Sequence, residues 1–215
     1  ENAYILSKAG MKVLVLERGE TLGGCIQSYN RRRMMFDTGF HYVGGLEEGQ
    51  SLYPAFKYMD LLDLPWKKLD KDFDKIHIQG EKFVFTQGKE DFLYRLCSEF
   101  PEDKDGLREL FKLMEITDKT QFFYFNPFFD FSDFPFELID TGACNYLKET
   151  LHSDRLINVL GATSMKLELR KDSLPLYSFL HGNSSFLESS WRLMGDASLL
   201  TNRLSKRIKD MGGEV

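Results

Sequence analysis

The 215-residue sequence is short of cysteine and histidine, and each shortage excludes a class of protein. The three cysteines, Cys25, Cys97 and Cys144, are odd in number and widely spaced, and they include no C-x-x-C pair. They therefore predict neither a disulfide framework nor a zinc site. The four histidines form no Ser-His-Asp or metal-ligand spacing, so we expect no bound metal. This cysteine usage is typical of a reducing compartment, and we expect a cytoplasmic protein.

The sequence also lacks an excess of basic charge and any long apolar run. It carries 28 Lys and Arg against 33 Asp and Glu, a net charge of −5, whereas nucleic acid binding requires a basic face. No run reaches the roughly 18 to 20 apolar residues of a membrane-spanning helix. The one compact basic run, Arg31 to Arg33, favours a solvated turn between two strands, with contact to a phosphate or a membrane surface as the alternative. We expect no nucleic acid partner, and peripheral membrane contact stays open.

Phenylalanine, in contrast, is abundant at 19 residues, and eight of them lie between Phe122 and Phe136. Pro127 and Pro135 interrupt this stretch, which suits neither a regular helix nor a regular strand. One interpretation is an irregular segment packed into a core. The other is the wall of an apolar ligand tunnel or a membrane-dipping entrance.

The stretch from Lys12 to Gly45 carries the clearest functional pattern. The continuous apolar run within residues 11–16 predicts a strand buried on both faces, and it ends at Glu17. An acid at the end of such a strand accepts hydrogen bonds from ribose hydroxyls in nucleotide-binding sheets. Gly23 and Gly24 follow, and without side chains they allow positive φ and a close approach to a phosphate.

The full pattern in this stretch, E-R-x(4)-G-G-C-x-x-S-x(8)-D-x-G-x-H, resembles the flavin-binding region of a known family. The family is that of the phytoene desaturases, retinol saturases and carotenoid isomerases, which are FAD-dependent oxidoreductases. The resemblance implies an α/β fold, with a partial Rossmann-like FAD-binding domain and a mainly helical α+β substrate domain. It also implies FAD as the cofactor.

The resemblance implies a set of cofactor-binding residues, namely Glu17, Arg18, Gly23, Gly24, Cys25, Ser28, Gly39 and His41. Simpler alternatives exist: an acid at a solvated strand end, an arginine facing solvent, a plain glycine turn and a serine bonded to backbone. The spacing between the acid and the glycine pair favours the cofactor role. Cys25 stands where many flavin amine oxidases and desaturases have arginine, and we expect its thiol to pack as a small apolar group.

Asp37 and His41 close the pattern. We expect Asp37 to accept hydrogen bonds from loop N–H groups rather than to act as a catalytic acid. His41 is the single catalytic candidate because an imidazole exchanges a proton near neutral pH. A lone histidine is more often a hydrogen-bonded structural residue, so the catalytic residue stays unknown.

The remaining periodicity predicts a discontinuous domain arrangement. Residues 1–49 and 188–215 are assigned to the FAD-binding domain, and residues 50–187 to the substrate domain. The predicted helices cover residues 1–9, 51–62, 91–100, 104–119, 141–151, 154–160, 177–187 and 197–211. The predicted strands cover residues 11–16, 25–30, 34–37, 75–79 and 82–86, and residues 191–196 are predicted as a loop.

The sequence contains no G-x-G-x-x-G, the fingerprint that belongs between the first strand and first helix of a dinucleotide-binding domain. We therefore expect the chain to be a piece of a longer protein and to hold FAD only weakly by itself. In the loop near Trp191 to Leu199, relatives are expected to read Y-P-x-G-G, whereas here Asp196 follows Gly195.

Function follows from the resemblance rather than from composition. The expected activity is FAD-dependent oxidation or reduction at carbon–carbon double bonds of an apolar polyene or other isoprenoid, by desaturation, saturation or isomerisation. One alternative is a flavin amine oxidase-like enzyme with a polar pocket. The other is a non-catalytic module that binds an apolar ligand or a partner and keeps the fold.

Overall fold

The computed structural model of the protein describes residues 1–78, 80–120, 130–168, 170 and 172–215. It divides into two compact units. Unit 1 consists of Glu1–Val43, Tyr53–Lys68 and Trp191–Val215, and unit 2 of Gly44–Leu52 and Leu69–Ser190. Unit 1 thus includes a segment, Tyr53–Lys68, that lies inside the predicted substrate domain, and the functional assignment of the two domains stays a prediction.

Unit 1 is built from helices and short antiparallel strands. Its elements are α1 (Asn2–Lys8), β1 (Ser28–Arg31), β2 (Met34–Asp37), α2 (Tyr53–Tyr58), β4 (Trp66–Lys68) and α9 (Ser198–Asp210), with β3 (Val43–Gly44) and β7 (Ser190–Leu193) at two of the chain crossings. The strand order of its three-stranded sheet is β3, β7, β4, and β4 runs antiparallel to β7 with Trp66 opposite Leu193.

The predicted hairpin around the arginine triplet is confirmed, except that residues 24–26 form a 3₁₀ turn and the first strand begins at Ser28. β1 and β2 pair antiparallel, and the turn residues Arg32 and Arg33 have φ of 52° and 66°. Two positive φ values give the turn a twist that matches the flanking strands. The Asn30 side chain supports this turn, because its Oδ1 accepts a hydrogen bond from the Arg33 N–H at 3.2 Å.

The predicted strand over residues 11–16 is not formed as a buried strand. The segment makes one parallel bridge, between Leu14 and Glu214, and the side chains of Leu14 and Leu16 are 62% and 84% exposed. Burial of a strand requires neighbouring strands and a covering layer, which an apolar run does not itself supply. The predicted return of the last residues to this segment is observed, since the Val15 N–H donates to the Glu214 carbonyl at 2.9 Å.

The predicted loop over residues 191–196 is also partly wrong. Residues 191–193 belong to β7, which pairs with β4, a strand that local sequence patterns did not predict. Both strands are so short that neither shows a period of its own. Their pairing joins segments more than a hundred residues apart in the sequence, and only the folded chain reveals it.

Unit 2 is a helical layer packed on a β-hairpin. Its elements are β5 (Asp72–Ile78), β6 (Glu81–Thr86), α3 (Lys89–Glu99), α4 (Lys104–Thr120), α5 (Glu137–Asp140), α6 (Ala143–Thr150), α7 (Asp154–Gly161) and α8 (Leu176–Glu188). The α4 face predicted from helical spacing is buried, with Leu107, Leu110 and Met114 at most 2% exposed. The hairpin and the helices of this region are confirmed, and the mixture of helix and strand agrees with the predicted α/β class.

Most of the phenylalanine-rich stretch, residues 121–129, lies outside the described residues. Of its described members, Phe131 and Phe136 are exposed, and the Phe134 ring lies 5.2 Å from the Tyr177 ring of α8. Neither interpretation of the stretch is therefore tested. In the described part of the chain, no helix is both long enough and apolar enough to cross a membrane.

Candidate functional site

Asp37, at the end of β2, organises the candidate site in unit 1. Its Oδ1 accepts hydrogen bonds from the Ser28 hydroxyl at 2.8 Å and from the Ala197 N–H at 2.8 Å. Its Oδ2 receives the Arg192 guanidinium at 2.9 Å. The carboxylate is 7% exposed, so these contacts take the place of water. Asp37 thus acts as the expected structural acceptor, and one of its donors is a backbone N–H near the start of α9.

Arg192, on β7, is a site residue that sequence analysis missed. In addition to Asp37, its guanidinium donates to the carbonyl of Phe40 at 3.2 Å and to the carbonyl of His41. A planar guanidinium can serve several acceptors at once, which a lysine ammonium does less well. Arg192 therefore fixes the backbone of the loop that carries Gly39 and His41. No local pattern marks this residue, because its partners lie about 150 positions earlier.

Glu17 and Arg18 lie on the surface after the parallel bridge at Leu14. The Glu17 Oε1 accepts a hydrogen bond from the Gly19 N–H at 2.7 Å. This local contact turns the chain out of the extended segment and leaves the acid side chain exposed. The position agrees with an acid at a solvated strand end, and it also leaves the carboxylate accessible to a ligand.

The two glycines after Glu17 have different surroundings. Gly23 has φ of +122°, and a Cβ there would lie 2.8 Å from the Thr201 Cγ2 on α9. Gly24 has φ of +54°, and a Cβ there would meet no atom within 4 Å. Gly23 is therefore required for close packing on α9, whereas Gly24 is a left-handed residue beside open space. Of the two, Gly24 is the one that a phosphate can approach.

The next three candidates line the same loop. Cys25 is an exposed free thiol, so the expectation that it packs as a small apolar group is wrong. The Ser28 hydroxyl is bonded to the Asp37 carboxylate rather than to backbone. Gly39 passes close to Cys25, since a Cβ on it would lie 3.1 Å from the Cys25 carbonyl oxygen. Ser28 and Gly39 thus hold the loop together, and Cys25 is exposed beside Gly24.

His41 contacts Tyr42, its neighbour in the chain. Its Nδ1 accepts a hydrogen bond from the Tyr42 N–H at 2.7 Å, and its ring lies 4.8 Å from the Tyr42 ring. No finding gives His41 a catalytic role, and that role stays a prediction.

Asp196 occupies the place where a second glycine is expected. Its Oδ1 accepts a hydrogen bond from the Ser198 N–H at 2.9 Å, at the start of α9. Hydrogen bonding by the Ser198 side chain, with a smaller effect of this backbone bond, lowers the pKa of the Asp196 carboxyl below its usual range. Gly195, with φ of +118°, keeps the left-handed turn before it. An aspartate at the second position of the pair therefore supplies an acceptor for the Ser198 N–H just before the N-cap residue of α9, Ala197.

These features can be compared with what a flavin nucleotide requires. An exposed carboxylate follows the parallel bridge, and an open left-handed glycine lies a short distance further along the chain. Sugar hydroxyls are donors suited to a carboxylate, and the lack of a Cβ at Gly24 leaves room beside the backbone. The exposed acid and the open glycine are thus compatible with the sugar–phosphate half of the cofactor, and their role in binding it stays a prediction. Among the described residues, no group of His, Cys, Asp and Glu could hold a metal ion.

Comparison with solved structures supports the fold. The crystal structure of the PF1083 protein from Pyrococcus furiosus aligns with 99% of this chain and 46% of its own chain. The TM-score is 0.61 and the sequence identity is 18%. At this identity the likeness concerns the fold alone.

Several curated relatives share sequence with part of the chain. All-trans-retinol 13,14-reductase from Homo sapiens is 30% identical over 118 residues, which is 53% of this chain and 19% of the human protein. The Rattus norvegicus protein of the same name is 28% identical over 119 residues, 54% of this chain and 20% of the relative. A Danio rerio relative named inactive all-trans-retinol 13,14-reductase is 29% identical over 118 residues, 53% of this chain and 20% of the relative. The match spans about a fifth of each of these relatives.

The family model for flavin containing amine oxidoreductases matches residues 2–196, most of the chain. This match includes the acid, the glycine pair and the loop around Asp37. Together with the similarity to retinol reductases, this match confirms the resemblance and the expected FAD cofactor. The chain belongs to the flavin containing amine oxidoreductase family, whose members are FAD-dependent oxidoreductases.

Proposed function

We propose that this chain is part of an FAD-dependent oxidoreductase that acts on carbon–carbon double bonds of an apolar polyene or other isoprenoid. The observation that carries the proposal is the similarity to retinol 13,14-reductases over more than half of the chain. Those relatives are named for the reduction of one double bond of all-trans-retinol. We therefore propose a retinoid-like substrate and reduction as the direction of the reaction.

In this proposal unit 1 is a partial Rossmann-like FAD-binding domain. Glu17 accepts hydrogen bonds from the ribose, and Arg18 lies near the adenine or its phosphate. Gly24 and the exposed Cys25 border the pyrophosphate. Asp37 and Arg192 hold the loop in which Gly39 and His41 lie toward the flavin. A bound flavin supplies hydride transfer, and the residues of the chain orient it and its substrate.

Unit 2 is the proposed substrate domain. Its helices α4 and α8 form an apolar core to which Phe92, Phe111 and Phe179 contribute, each at most 6% exposed. We propose that the polyene binds against this apolar domain, which would exclude water during hydride transfer. Because such a substrate dissolves in lipid, we propose a cytoplasmic protein that contacts a membrane at its surface.

The direct test is an anaerobic reaction of the full-length, FAD-loaded enzyme of which this chain is proposed to be a part. Its flavin is reduced with dithionite, all-trans-retinol is added, and the flavin absorbance is followed together with the retinoid spectrum. The proposal expects flavin reoxidation and loss of one conjugated double bond from the retinoid. The amine oxidase alternative would be supported instead if no retinoid or carotenoid reoxidised the reduced flavin and a primary amine reduced the oxidised flavin.

A second candidate is a non-catalytic protein that keeps the fold and binds an apolar ligand. This candidate is supported by the similarity to the Danio rerio relative that is named inactive, which is 29% identical over 118 residues. It predicts that retinol binds, seen as enhanced retinol fluorescence, while the reduced flavin is not reoxidised. A full-length protein that stays colourless after incubation with FAD would also support this candidate over an enzyme.

A further inference from the structure

The β1–β2 hairpin exposes an unusual number of apolar side chains. Tyr29, Met34, Met35 and Phe36 are 50%, 62%, 50% and 40% exposed, although they lie on neighbouring strands of one small sheet. The Tyr29 and Phe36 rings stack on each other with centroids 5.6 Å apart. Soluble proteins rarely place apolar side chains together on the surface unless something covers them.

The register of the hairpin separates these side chains into two faces. Tyr29 lies opposite Phe36 and Arg31 opposite Met34, and alternate pairs share a face. One face therefore carries the stacked rings, Met34 and Arg31, and we call it the apolar face. The other face carries Ser28 and Asp37 at its base, with Asn30 and Met35 further along.

Contacts at the base fix which face is exposed. Asp37 is bonded to Arg192 and to the Ala197 N–H, so the face that carries it is turned toward the body of unit 1. The apolar face is consequently directed to solvent. The contact between the Asn30 amide and the Met35 sulfur, at 3.6 Å, lies on the anchored face as well. The hairpin is thus held at its base and free at its tip.

The tip adds positive charge to this apolar face. Arg31, Arg32 and Arg33 are all exposed, and the structure shows no ion pair for any of them among the described residues. The chain as a whole has a net charge of −5, so the cluster is local. Guanidinium groups next to exposed aromatic and methionine side chains are typical of segments that enter the boundary of an anionic bilayer.

We propose that the β1–β2 hairpin lies along anionic lipid surfaces, with its apolar face toward the acyl chains and the arginines of its tip at the level of the phosphates. Charge complementarity favours this occupant, because the exposed arginines of the tip lie next to the apolar face and anionic headgroups supply the opposite charge. Each arginine near an anionic leaflet contributes roughly a fivefold gain in affinity. The proposal rests on the hairpin alone and does not depend on the reaction assigned to the flavin.

The test measures binding of the purified protein to vesicles by flotation. One set of vesicles is pure phosphatidylcholine and the other contains phosphatidylserine. We expect binding to the anionic vesicles, and a fall of at least tenfold in R31Q/R32Q/R33Q and in Y29S/M34S/F36S. The matched controls are K104Q/K112Q/K148Q, which removes three exposed lysines of unit 2, and Y94S, which removes an exposed ring; both should bind as the parent does.

Hydrogen exchange separates the other occupants. Protection of residues 28–37 that appears only with anionic vesicles supports the proposal. Protection without lipid that grows with protein concentration shows a contact between copies, and protection that is independent of both shows that the polypeptide covers its own hairpin; either result overturns it. Equal binding by the triple-glutamine variant and its lysine control would also overturn it, and circular dichroism verifies that every variant is folded.

Discussion

At the scale of single residues, the loop of the candidate site depends on one nearly buried carboxylate. Asp37 is 7% exposed and has three donors, of which Arg192 also holds the carbonyls of Phe40 and His41. Removal of Arg192 leaves the carboxylate without its charged partner and two carbonyls without a donor. The net loss of hydrogen bonds to a charged group is about 1.5–3 kcal/mol, reduced somewhat because Arg192 is 38% exposed.

We therefore predict that R192Q lowers the free energy of unfolding by about 1–3 kcal/mol. The unfolding free energy of R192K should lie between those of the parent and R192Q, because a lysine ammonium keeps the positive charge but lacks the planar guanidinium that serves several acceptors at once. Urea denaturation at neutral pH measures the difference. The control is R108Q, since Arg108 is 61% exposed and pairs with Asp105 one helical turn away. An R192Q midpoint equal to that of R108Q would show that the loop is held by other contacts.

His181, on α8 in unit 2, is a second residue with a measurable consequence. Its Nδ1 is buried and has no hydrogen-bond partner among the described residues, while its ring stacks on the Tyr177 ring. Burial lowers the pKa of His181, and the carboxylates of Asp118 and Glu188 oppose that shift. The folded state therefore binds this proton less readily than the unfolded state does.

The sign of the pH dependence follows from that difference. As the pH falls below about 6.5, the unfolded chain takes up the proton first, so the stability of the folded state declines. We predict that H181F, which keeps an aromatic ring, removes this decline between about pH 7.5 and 5.5. Urea midpoints across this range give the slope. The exposed His77 supplies the control H77Q. If stability fell with pH as steeply in H181F as in H77Q, His181 would not be the cause of the decline.

At the scale of elements, residues with positive φ occur in several turns, but for different structural reasons. Gly80 and the arginine pair both have positive φ in two-residue hairpin turns, and both hairpins were predicted from sequence. The glycine pair at Gly23 and Gly24 was predicted to approach a phosphate. Only Gly24 has open space for it, since Gly23 packs against Thr201. The glycine pair predicts a left-handed backbone at this turn, but the sequence does not show which neighbouring atoms exclude a side chain there.

We predict that the two glycines respond differently to alanine. In G23A the new methyl group meets the Thr201 Cγ2 and the backbone has φ of +122°, so a loss of roughly 2–4 kcal/mol is expected. In G24A the cost is the left-handed backbone alone, about 1–2 kcal/mol. T201S removes the Cγ2 and keeps the hydroxyl that donates to the Ser198 carbonyl.

The double variant G23A/T201S should therefore recover part of the loss, and unfolding of all four combinations yields the coupling free energy. Strict additivity would mean that Gly23 is needed for its backbone conformation and not for packing on α9.

Local elements were predictable because their determinants lie within a few residues: turn glycines, helix spacing and strand alternation. The strand over residues 11–16 failed because its burial depends on neighbours elsewhere in the fold. The β4–β7 pairing failed because both strands are too short to show a period. In the site, the acceptor role of Asp37 was expected from its type and position. Its donors Arg192 and Ala197 lie 155 and 160 positions away, and only folding brings them together.

At the scale of the whole molecule, family membership and cofactor affinity are separate questions. The family match covers residues 2–196, while the relatives are matched over about a fifth of their length. Binding of a dinucleotide requires donors for two phosphate charges in addition to an acceptor for the ribose. In the proposed site Glu17 is the ribose acceptor and Gly24 the open glycine, but the sequence contains no G-x-G-x-x-G.

We predict that the 215-residue chain binds FAD weakly, with a dissociation constant in the micromolar range or above, because backbone donors at a glycine loop and helix start provide most of the pyrophosphate interaction. Titration monitored by flavin fluorescence measures this constant. E17Q should weaken the remaining affinity severalfold, since a neutral amide is a poorer acceptor for ribose hydroxyls, whereas E20Q, a change at a nearby exposed acid, should not. Tight one-to-one binding by the chain would show that residues other than a glycine fingerprint hold the pyrophosphate, and equal affinities for E17Q and E20Q would remove Glu17 from the site.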